Sequence, residues 1–222
     1  MRDAIAVVDY GMGNLFSVLN AFERLGVPAT VVTTPADLLS APGVVLLGVG
    51  AMPDAMAVLN ETGLADALRE AAARGTPMLG ICLGLQLLMT EGTEFTRHAG
   101  LGLVEGEVVR IEGDDHQGRP LRVPHLGWNR LHAARPWHGT DLEDLESGTA
   151  QYFVHSFHVR PARREVILAD TTYGDATLTA AIATGSIVAC QFHPERSGPA
   201  GLALLRRFAA RTGVAPLEES LA

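Results

Sequence analysis

Short apolar runs alternate with amphipathic segments in the first half of the chain. The runs AIAVVDYG, ATVVTT, VVLLG and PMLGI have the length and composition of buried β-strands. Between and after them, NLFSVLNAFERLG, ended by Gly26, GLADALREAAARG and CLGLQLLMTEG carry apolar residues at helical spacing. Strands that alternate with helices predict a parallel sheet with helices on both faces.

The rhythm changes after residue 100, where strand-like segments follow one another through polar turns such as EGDDHQGRP. These segments are GEVVRIE, LRVPHLGWNRL, QYFVHSFHV, EVILADTTYG and AAIATGSIVACQF. We expect them to add antiparallel strands to the same sheet, which makes it mixed. The last helix, AGLALLRRFAARTG, has Leu202, Leu205 and Phe208 or Ala209 on one side, and residues 213–222 are predicted to form a loose tail.

Composition and charge limit the classes of function. The 222 residues are 47% hydrophobic and 19% charged, so the chain can bury a sizeable core as a single domain over residues 1–222. The net charge of -8 repels phosphate backbones and anionic lipids, so we expect neither nucleic-acid nor membrane partners. The N-terminus has no signal-peptide pattern, and no apolar run reaches the ~18 residues of a membrane helix.

The cysteines are Cys82 and Cys190, too few for a disulfide framework. They fit a reducing compartment, which predicts a cytoplasmic protein. Cys190 lies inside an apparent strand without a reactive partner nearby in sequence, so we interpret it as a core residue.

Cys82 stands where a buried strand turns into a helix, between Gly80 and Gly84. This pattern is typical of a nucleophile elbow, in which a sharp turn lifts one side chain above the sheet edge and a Cβ at either glycine would clash. The start of the following helix favours a thiolate, which is the nucleophilic form of cysteine. The alternative is a buried cysteine that only packs.

A thiol nucleophile needs a base and a group that orients the base. In CQFHPERSG, His193 and Glu195 are two residues apart at the end of an apparent strand, where extended backbone directs both side chains the same way. Pro194 disfavours helix at His193. Glu195 can then accept the proton of one imidazole nitrogen while the other nitrogen faces the thiol. Without the elbow, a solvated surface turn would explain the same residues.

Attack on an acyl group also requires donors for the developing oxyanion. The glycines Gly48 and Gly50 flank Val49 in a turn after the apolar run VVLLG, so backbone N–H groups can come close there. The N–H of Leu83, the residue after the proposed nucleophile, would be a second donor. No Gly-Lys-Ser/Thr follows this turn, so it is not a phosphate loop.

Two further patterns are too weak to predict a binding site. DYGMGN follows a strand, but Phe16 stands where a dinucleotide fingerprint requires its third glycine. His155 and His158 are three apart on one predicted strand and therefore on opposite faces, so no metal site is expected there.

Together, GICLGLQLL and QFHPERSG resemble the class I glutamine amidotransferases, and DYGMGN, PHLGWN and YFVHSF resemble the glutaminase subunits of imidazole glycerol phosphate synthases. The resemblance implies a flavodoxin-like α/β fold without metal or organic cofactor. It implies Cys82 as nucleophile, His193 as general base and acid, and Glu195 as the group that orients His193. It also places the following residues around glutamine: Gly50, Gln86, His155, Ser156 and Phe157.

The same resemblance implies a partner. Such glutaminases form a heterodimer with a (β/α)8-barrel cyclase subunit, which uses the released ammonia to make imidazole glycerol phosphate in histidine biosynthesis. Candidate residues for the docking face are Asn14, Trp128, Tyr152 and Arg196, of which Arg196 stands where lysine is common in the family.

One departure concerns the oxyanion turn. The family usually has Pro-Gly-Val-Gly there, whereas this chain has Leu47 in the first position, which restores a backbone N–H and frees φ. Two alternatives stay open: a related amidotransferase that feeds another pathway, such as nucleotide-sugar synthesis, and a docking subunit without activity. PHLGWN argues against anthranilate, pyridoxal phosphate and GMP synthesis, and the intact Cys-His-Glu set argues against an inactive subunit.

Overall fold

A computed structural model describes residues 3–215. Its strands, in chain order, are β1 Ile5–Val8, β2 Ala29–Val32, β3 Val44–Gly48, β4 Met78–Cys82, β5 Met89–Gly92, β6 His98–Ala99, β7 Val104–Arg110, β8 His125–Arg130, β9 His132–Ala133, β10 Ala150–His155, β11 Phe157–Pro161, β12 Ile167–Tyr173, β13 Ala176–Thr184 and β14 Ile187–Cys190. Its α-helices are α1 Leu15–Arg24, α2 Pro35–Ser40, α3 Met52–Glu61, α4 Leu64–Ala73, α5 Leu83–Leu87 and α6 Gly198–Thr212. Short 3-10 turns occupy Arg164–Val166 and Pro194–Arg196.

The main sheet has eight strands in the order β2-β1-β3-β4-β14-β13-β12-β9. The first five in this order are parallel, and β13, β12 and β9 continue the sheet antiparallel. The parallel part has the strand order of flavodoxin-like folds. In such sheets, ligands bind beyond the carboxyl ends of the strands.

Helices cover both faces of this sheet. Along β3, Val44 and Leu46 belong to one hydrophobic cluster, and Val45 and Leu47 belong to the other, because successive side chains of a strand point to opposite faces. The first cluster packs against α2, α3 and α4, and the second packs against α1 and α6. The predicted mixed sheet with helices on both faces is confirmed.

The prediction that all later strands join the main sheet is wrong. Strands β11, β7, β5 and β6 form a separate four-stranded sheet, and β10 pairs with β8 alone. The segment QYFVHSFHV breaks at Ser156, so its first part pairs with β8 and its second part with β7. His155 and His158 therefore belong to different sheets rather than to opposite faces of one strand.

The helix predicted from Cys82 to Gly92 ends at Leu87, and Met89–Gly92 is a strand. Where α5 gives way to this strand, the carbonyls of Leu88 and Met89 accept hydrogen bonds from the N–H groups of residues 102–104. Pairing with β7 thus overrides the helical spacing of the sequence. Helices α2 and α3 were not predicted.

The C-terminal helix buries Leu204, Leu205, Phe208 and Ala209, whereas Leu202 is half-buried. Gly213 ends this helix in a left-handed conformation, and Val214 is buried against the second cluster. The rest of the predicted tail, 216–222, lies outside the described residues. Within residues 3–215, no helix combines the length and the apolar character needed to span a membrane.

Candidate active site

The carboxyl ends of three adjacent parallel strands meet at one edge of the main sheet. Strand β3 runs into Val49 and Gly50, β4 ends at Cys82, and β14 is followed closely by His193. Because the strands are neighbours in the sheet, segments that are far apart in sequence converge at this edge.

Cys82 occupies a sharp turn between β4 and α5. Its φ of 53° and ψ of -109° are unusual for a residue with a side chain. A Cβ at Gly84 would lie 1.9 Å from the Leu46 carbonyl oxygen, and one at Gly80 would lie 2.9 Å from the Ala189 Cβ. The predicted elbow and the need for both glycines are confirmed by this geometry. Since α5 is only five residues long, its dipole contributes less to the thiolate than a longer helix would.

The Cys82 sulfur is nearly buried, with 7% of the residue exposed. Its Sγ lies 3.8 Å from the Val154 carbonyl oxygen, to which the thiol can donate. The side-chain amide of Gln191 donates to the same sulfur at 3.7 Å. In these two contacts, the sulfur faces one acceptor and one donor.

His193 and Glu195 form a buried pair. The His193 Nδ1 and Glu195 Oε1 atoms are 2.8 Å apart, and the Glu195 side chain is only 2% exposed. The extended backbone predicted between them is wrong, because Pro194–Arg196 forms a 3-10 turn. His193 itself is extended, and the turn folds Glu195 back onto its ring. The hydroxyl of Ser197 donates to the His193 carbonyl at 2.7 Å and fixes the turn.

The second ring nitrogen of His193, Nε2, is buried and has no hydrogen-bond partner among the described residues. Because Nδ1 is hydrogen-bonded to Glu195, Nε2 is the ring nitrogen left to interact with Cys82. Burial alone would lower the pKa of His193, but Cys82 and Glu195 outweigh burial and raise it to about 10. The imidazole is thus the group that holds a proton beside the sulfur.

A cavity of about 310 Å³ opens above this cluster. Its wall includes most of the residues predicted to hold substrate. Lining residues are Val49, Gly50, Cys82, Leu83, Gln86, Glu94, Pro124, Val154, His155, Ser156, Phe157 and His193. Gly48 does not line it, because this residue packs below the turn, where a Cβ would lie 1.9 Å from the Tyr10 hydroxyl oxygen.

Comparisons with known proteins agree with this geometry. The family model for glutamine amidotransferase class-I matches residues 6–212. An imidazole glycerol phosphate synthase subunit HisH from Geobacillus thermodenitrificans is 48% identical over 206 residues, which are 92% of this chain and 94% of the relative. The chain belongs to the HisH branch of the class I glutamine amidotransferases. The resemblance inferred from the motifs is confirmed.

A more distant relative supports the same assignment, and a solved structure shares the fold. Imidazole glycerol phosphate synthase subunit HisH 1 of Legionella pneumophila is 39% identical over 92% of this chain and 98% of its own length. A crystal structure of a glutamine amidotransferase superposes with a TM-score of 0.70 at 24% identity, over 94% of this chain and 99% of that chain. The second likeness shows the shared fold.

In this amidotransferase, one backbone N–H of the turn predicted to bind the oxyanion already has an acceptor. The Val49 N–H donates to the Met12 carbonyl at 2.9 Å. Gly50 has a φ of 97°, which lies in the left-handed region that glycine tolerates best. The Leu83 N–H belongs to the first turn of α5 and has no acceptor within the helix. Of the two predicted donors, the Val49 N–H is therefore already hydrogen-bonded, whereas the Leu83 N–H has no acceptor within its helix.

A series of hydrogen bonds supports the part of the cavity wall that contains Gln86, His155 and Phe157. The Phe157 carbonyl accepts from His155 Nδ1 at 2.8 Å and from Gln86 Nε2 at 3.0 Å. His155 Nε2 is 2.9 Å from His125 Nδ1, and His125 Nε2 is 3.1 Å from Asn129 Nδ2. Burial lowers the pKa of His125 to about 4 and that of His155 to about 3, so both rings are neutral at pH 7. The bonds then run in one direction, from Asn129 to the Phe157 carbonyl.

Sequence reasoning missed Glu94, Pro124 and Gln191. Glu94 lines the cavity, and its Oε2 accepts the Met52 N–H at 2.9 Å, at the start of α3. The sequence distance between Cys82 and Glu94 does not predict that they share a cavity, because Glu94 is placed there by strand β5, which the sequence did not predict. The position of Gln191 two residues before His193 was the one available signal, since extended backbone directs both side chains to the same face.

The predicted docking residues lie on the surface close to the 3-10 turn Pro194–Arg196. Trp128 is 60% exposed, and its ring packs edge-on against Tyr152 at 6.0 Å between centroids. The Arg196 guanidinium lies 4.6 Å over the Tyr152 ring. Asn14 is exposed and caps α1, which contacts the same turn. The structure thus brings Trp128, Tyr152 and Arg196 into contact.

Proposed function

We propose that this amidotransferase hydrolyses the side-chain amide of glutamine with Cys82, His193 and Glu195, as the glutaminase subunit of an imidazole glycerol phosphate synthase. The observation that carries the proposal is the buried His193–Glu195 pair, 2.8 Å between Nδ1 and Oε1, beside a thiol held at a strained turn. All three elements of a nucleophile, a base and an orienting carboxylate are present in one cluster.

The first half of the reaction forms a thioester. The Cys82 sulfur, whose proton has passed to His193 Nε2, attacks the amide carbon of glutamine and forms a C–S bond. The imidazolium of His193 then protonates the amide nitrogen, the C–N bond breaks, and ammonia leaves. Glu195 keeps Nδ1 protonated and stabilises the positive charge on the ring.

The second half regenerates the thiol. His193, now neutral, takes a proton from a water molecule that attacks the thioester carbon. The C–S bond breaks, glutamate is released, and the sulfur again shares a proton with His193. In both halves, an oxygen carries negative charge in the transition state and needs preorganised donors. The Leu83 N–H is one donor, and the Val49 N–H becomes the second when the turn Gly48–Gly50 reorients.

The cavity wall provides groups for the amino-acid end of glutamine. The Glu94 carboxylate carries the charge that complements the α-ammonium group, and the Met52 N–H holds it in place. Ser156 and Phe157 offer backbone groups at the break between β10 and β11. Gln86 and His155 act through the Phe157 carbonyl, to which both donate.

The released ammonia requires an acceptor nearby, because free ammonia is protonated in water and loses its nucleophilicity. We propose that the partner is a barrel-shaped cyclase subunit and that the two form a heterodimer in the cytosol. The ring-forming lyase step then belongs to the partner. The relatives are named as subunits of a synthase, which supports the proposal.

We assign the partner contact to a docking face formed by Asn14, Phe16, Leu126, Trp128, Tyr152 and Arg196. Phe16, Leu126 and Trp128 are large apolar side chains that are more than half exposed. Aromatic and arginine side chains grouped in this way are typical of interface hot spots. The face borders the turn that carries His193, so binding there can act on the site.

The test is to measure both cyclase binding and glutaminase turnover in the assembled enzyme. We expect Trp128→Ala to weaken binding by about 30-fold, the size of a hot-spot loss. The matched control is Val31→Ala, which truncates an exposed apolar residue on β2, at the far edge of the main sheet, and should change binding by less than about 2-fold. Equal effects of both variants, or wild-type complex without glutaminase activity, would contradict the proposal.

A further inference from the structure

Gln191 is fully buried and has no role in the scheme above. It follows β14, and its backbone N–H still donates to Ala180 of the neighbouring strand at 2.9 Å. A buried side-chain amide costs free energy unless its polar atoms are bonded. The amide therefore has to be explained by the contacts that it makes.

Among the residues that the structure describes, Gln191 is the side-chain donor in hydrogen-bond contact with the Cys82 sulfur. The Nε2–Sγ distance is 3.7 Å. Tyr10 and Cys190 also interact with charge on Cys82, but each is an acid whose ionised form would repel negative charge on the sulfur. His193 is the cation that faces it. Gln191 and His193 thus stabilise negative charge on the sulfur from two different segments.

The orientation of the Gln191 amide is fixed by its neighbours. The Phe157 carbonyl can only accept, so the Gln86 group that faces it must be the NH2, and this bond is 3.0 Å long. The same NH2 lies 3.2 Å from Gln191 Oε1 and donates to it. The Gln191 oxygen is therefore turned to Gln86, and its NH2 is turned to the sulfur.

We propose that Gln191 is a catalytic residue whose side-chain N–H holds the Cys82 sulfur and stabilises its negative charge, before attack on the amide and again when the thioester breaks. This inference rests on the proposed glutaminase reaction. Packing alone does not require an amide here, because a methionine fills a similar volume and Gln86 keeps its bond to Phe157 without Gln191. A hydrogen bond to an anion is among the stronger ones in proteins.

The experiment compares Gln191→Met with Gln151→Met in the complex with the cyclase subunit. Gln151 is the matched control, because it is also fully buried and its amide atoms have no partner among the described residues. For Gln191→Met we expect kcat for glutamine to fall by about 10- to 100-fold and KM to change by less than about 3-fold. The control should keep kcat within about 3-fold.

A second readout separates a catalytic role from a structural one. The rate of Cys82 alkylation by iodoacetamide is measured against pH, and its midpoint should move to higher pH in Gln191→Met but not in Gln151→Met. Gln191→Leu also removes the N–H without adding a charge or another donor, so it should show the same changes, and it decides the question if the methionine variant does not fold.

Wild-type turnover together with an unmoved alkylation midpoint in either Gln191 variant would overturn the inference. The proposed function would survive that result as long as the wild-type complex hydrolyses glutamine. If the wild-type complex has no glutaminase activity, the proposed function fails first, and the inference fails with it. The ammonium-dependent reaction of the cyclase should be unchanged in every variant.

Discussion

The backbone N–H of Val49 donates to the carbonyl of Met12 at 2.9 Å. Val49 lies in an exposed turn, and the residue itself is 49% exposed. Val49 lines the cavity that contains Cys82, whereas Met12 does not, so the N–H is engaged by a residue outside the cavity wall. The donor can serve the oxyanion only after the bond to Met12 breaks. For the proposed reaction, the isolated chain therefore has one of its two oxyanion donors engaged elsewhere.

We expect the isolated chain to hydrolyse glutamine slowly and to accelerate when the cyclase and its nucleotide substrate bind. One lost oxyanion donor costs about 100- to 1000-fold in kcat, which sets the scale of the activation. Amide hydrogen exchange at Val49 checks the structural cause: the amide should be protected in the isolated chain and lose this protection in the activated complex. Equal turnover in both states would contradict this explanation.

The His193–Cys82–Glu195 cluster predicts an alkaline limit. With a pKa raised from 6.5 to about 10, His193 is protonated at pH 7 in the folded chain. Its contribution to stability is complete below pH 6.5 and is lost as pH rises through about 10. Glutamine turnover should fall over the same upper range, because neutral His193 cannot protonate the leaving nitrogen.

NMR titration of the His193 ring measures this directly. In Cys82→Ala the midpoint should be lower than in the wild type, because one of the two groups that raise the pKa is gone. A wild-type midpoint near the ordinary value for histidine would show that the cluster does not hold the proton.

Much of the proposed catalytic cluster follows from short-range patterns. Gly80, Cys82 and Gly84 predict the elbow, because the constraint is local and steric. The spacing of His193 and Glu195 predicts their pairing, although a 3-10 turn rather than a strand produces it. In both cases the residues that matter are neighbours in sequence.

The rest of the site depends on long-range pairing. Met89–Gly92 follows the helical spacing of the sequence but forms a strand, because β7 offers hydrogen bonds that a helix would not use. Glu94 reaches the cavity only through this strand, and His125 meets His155 only because β8 pairs with β10. Whether the Val49 N–H is hydrogen-bonded depends on Met12, which is far from it in sequence.

Three buried histidines predict loss of stability in acid. Burial lowers the pKa of His125 to about 4, of His155 to about 3 and of His158 to about 4. The unfolded chain binds protons on all of them below about pH 6.5, whereas the folded chain stays neutral. The free energy of unfolding should therefore fall between pH 6.5 and 4, by up to about 4 kcal/mol per pH unit for three protons.

Urea unfolding at several pH values measures this slope. His158→Phe should reduce the slope by about one proton, ~1.4 kcal/mol per pH unit, because one titrating group is removed. Its Nδ1 has no hydrogen-bond partner among the described residues, so the substitution sacrifices no bond at that atom. An unchanged slope in this variant would show that His158 does not titrate as described.

The central claim is that Cys82 releases ammonia from glutamine for use by the partner. It is tested most directly by measuring product formation by the assembled Cys82→Ala complex, once with glutamine and once with an ammonium salt. We expect the glutamine-dependent reaction to be lost and the ammonium-dependent reaction to remain at the wild-type rate. Persistent glutamine-dependent synthesis, or loss of both reactions in a complex that still assembles, would contradict the claim.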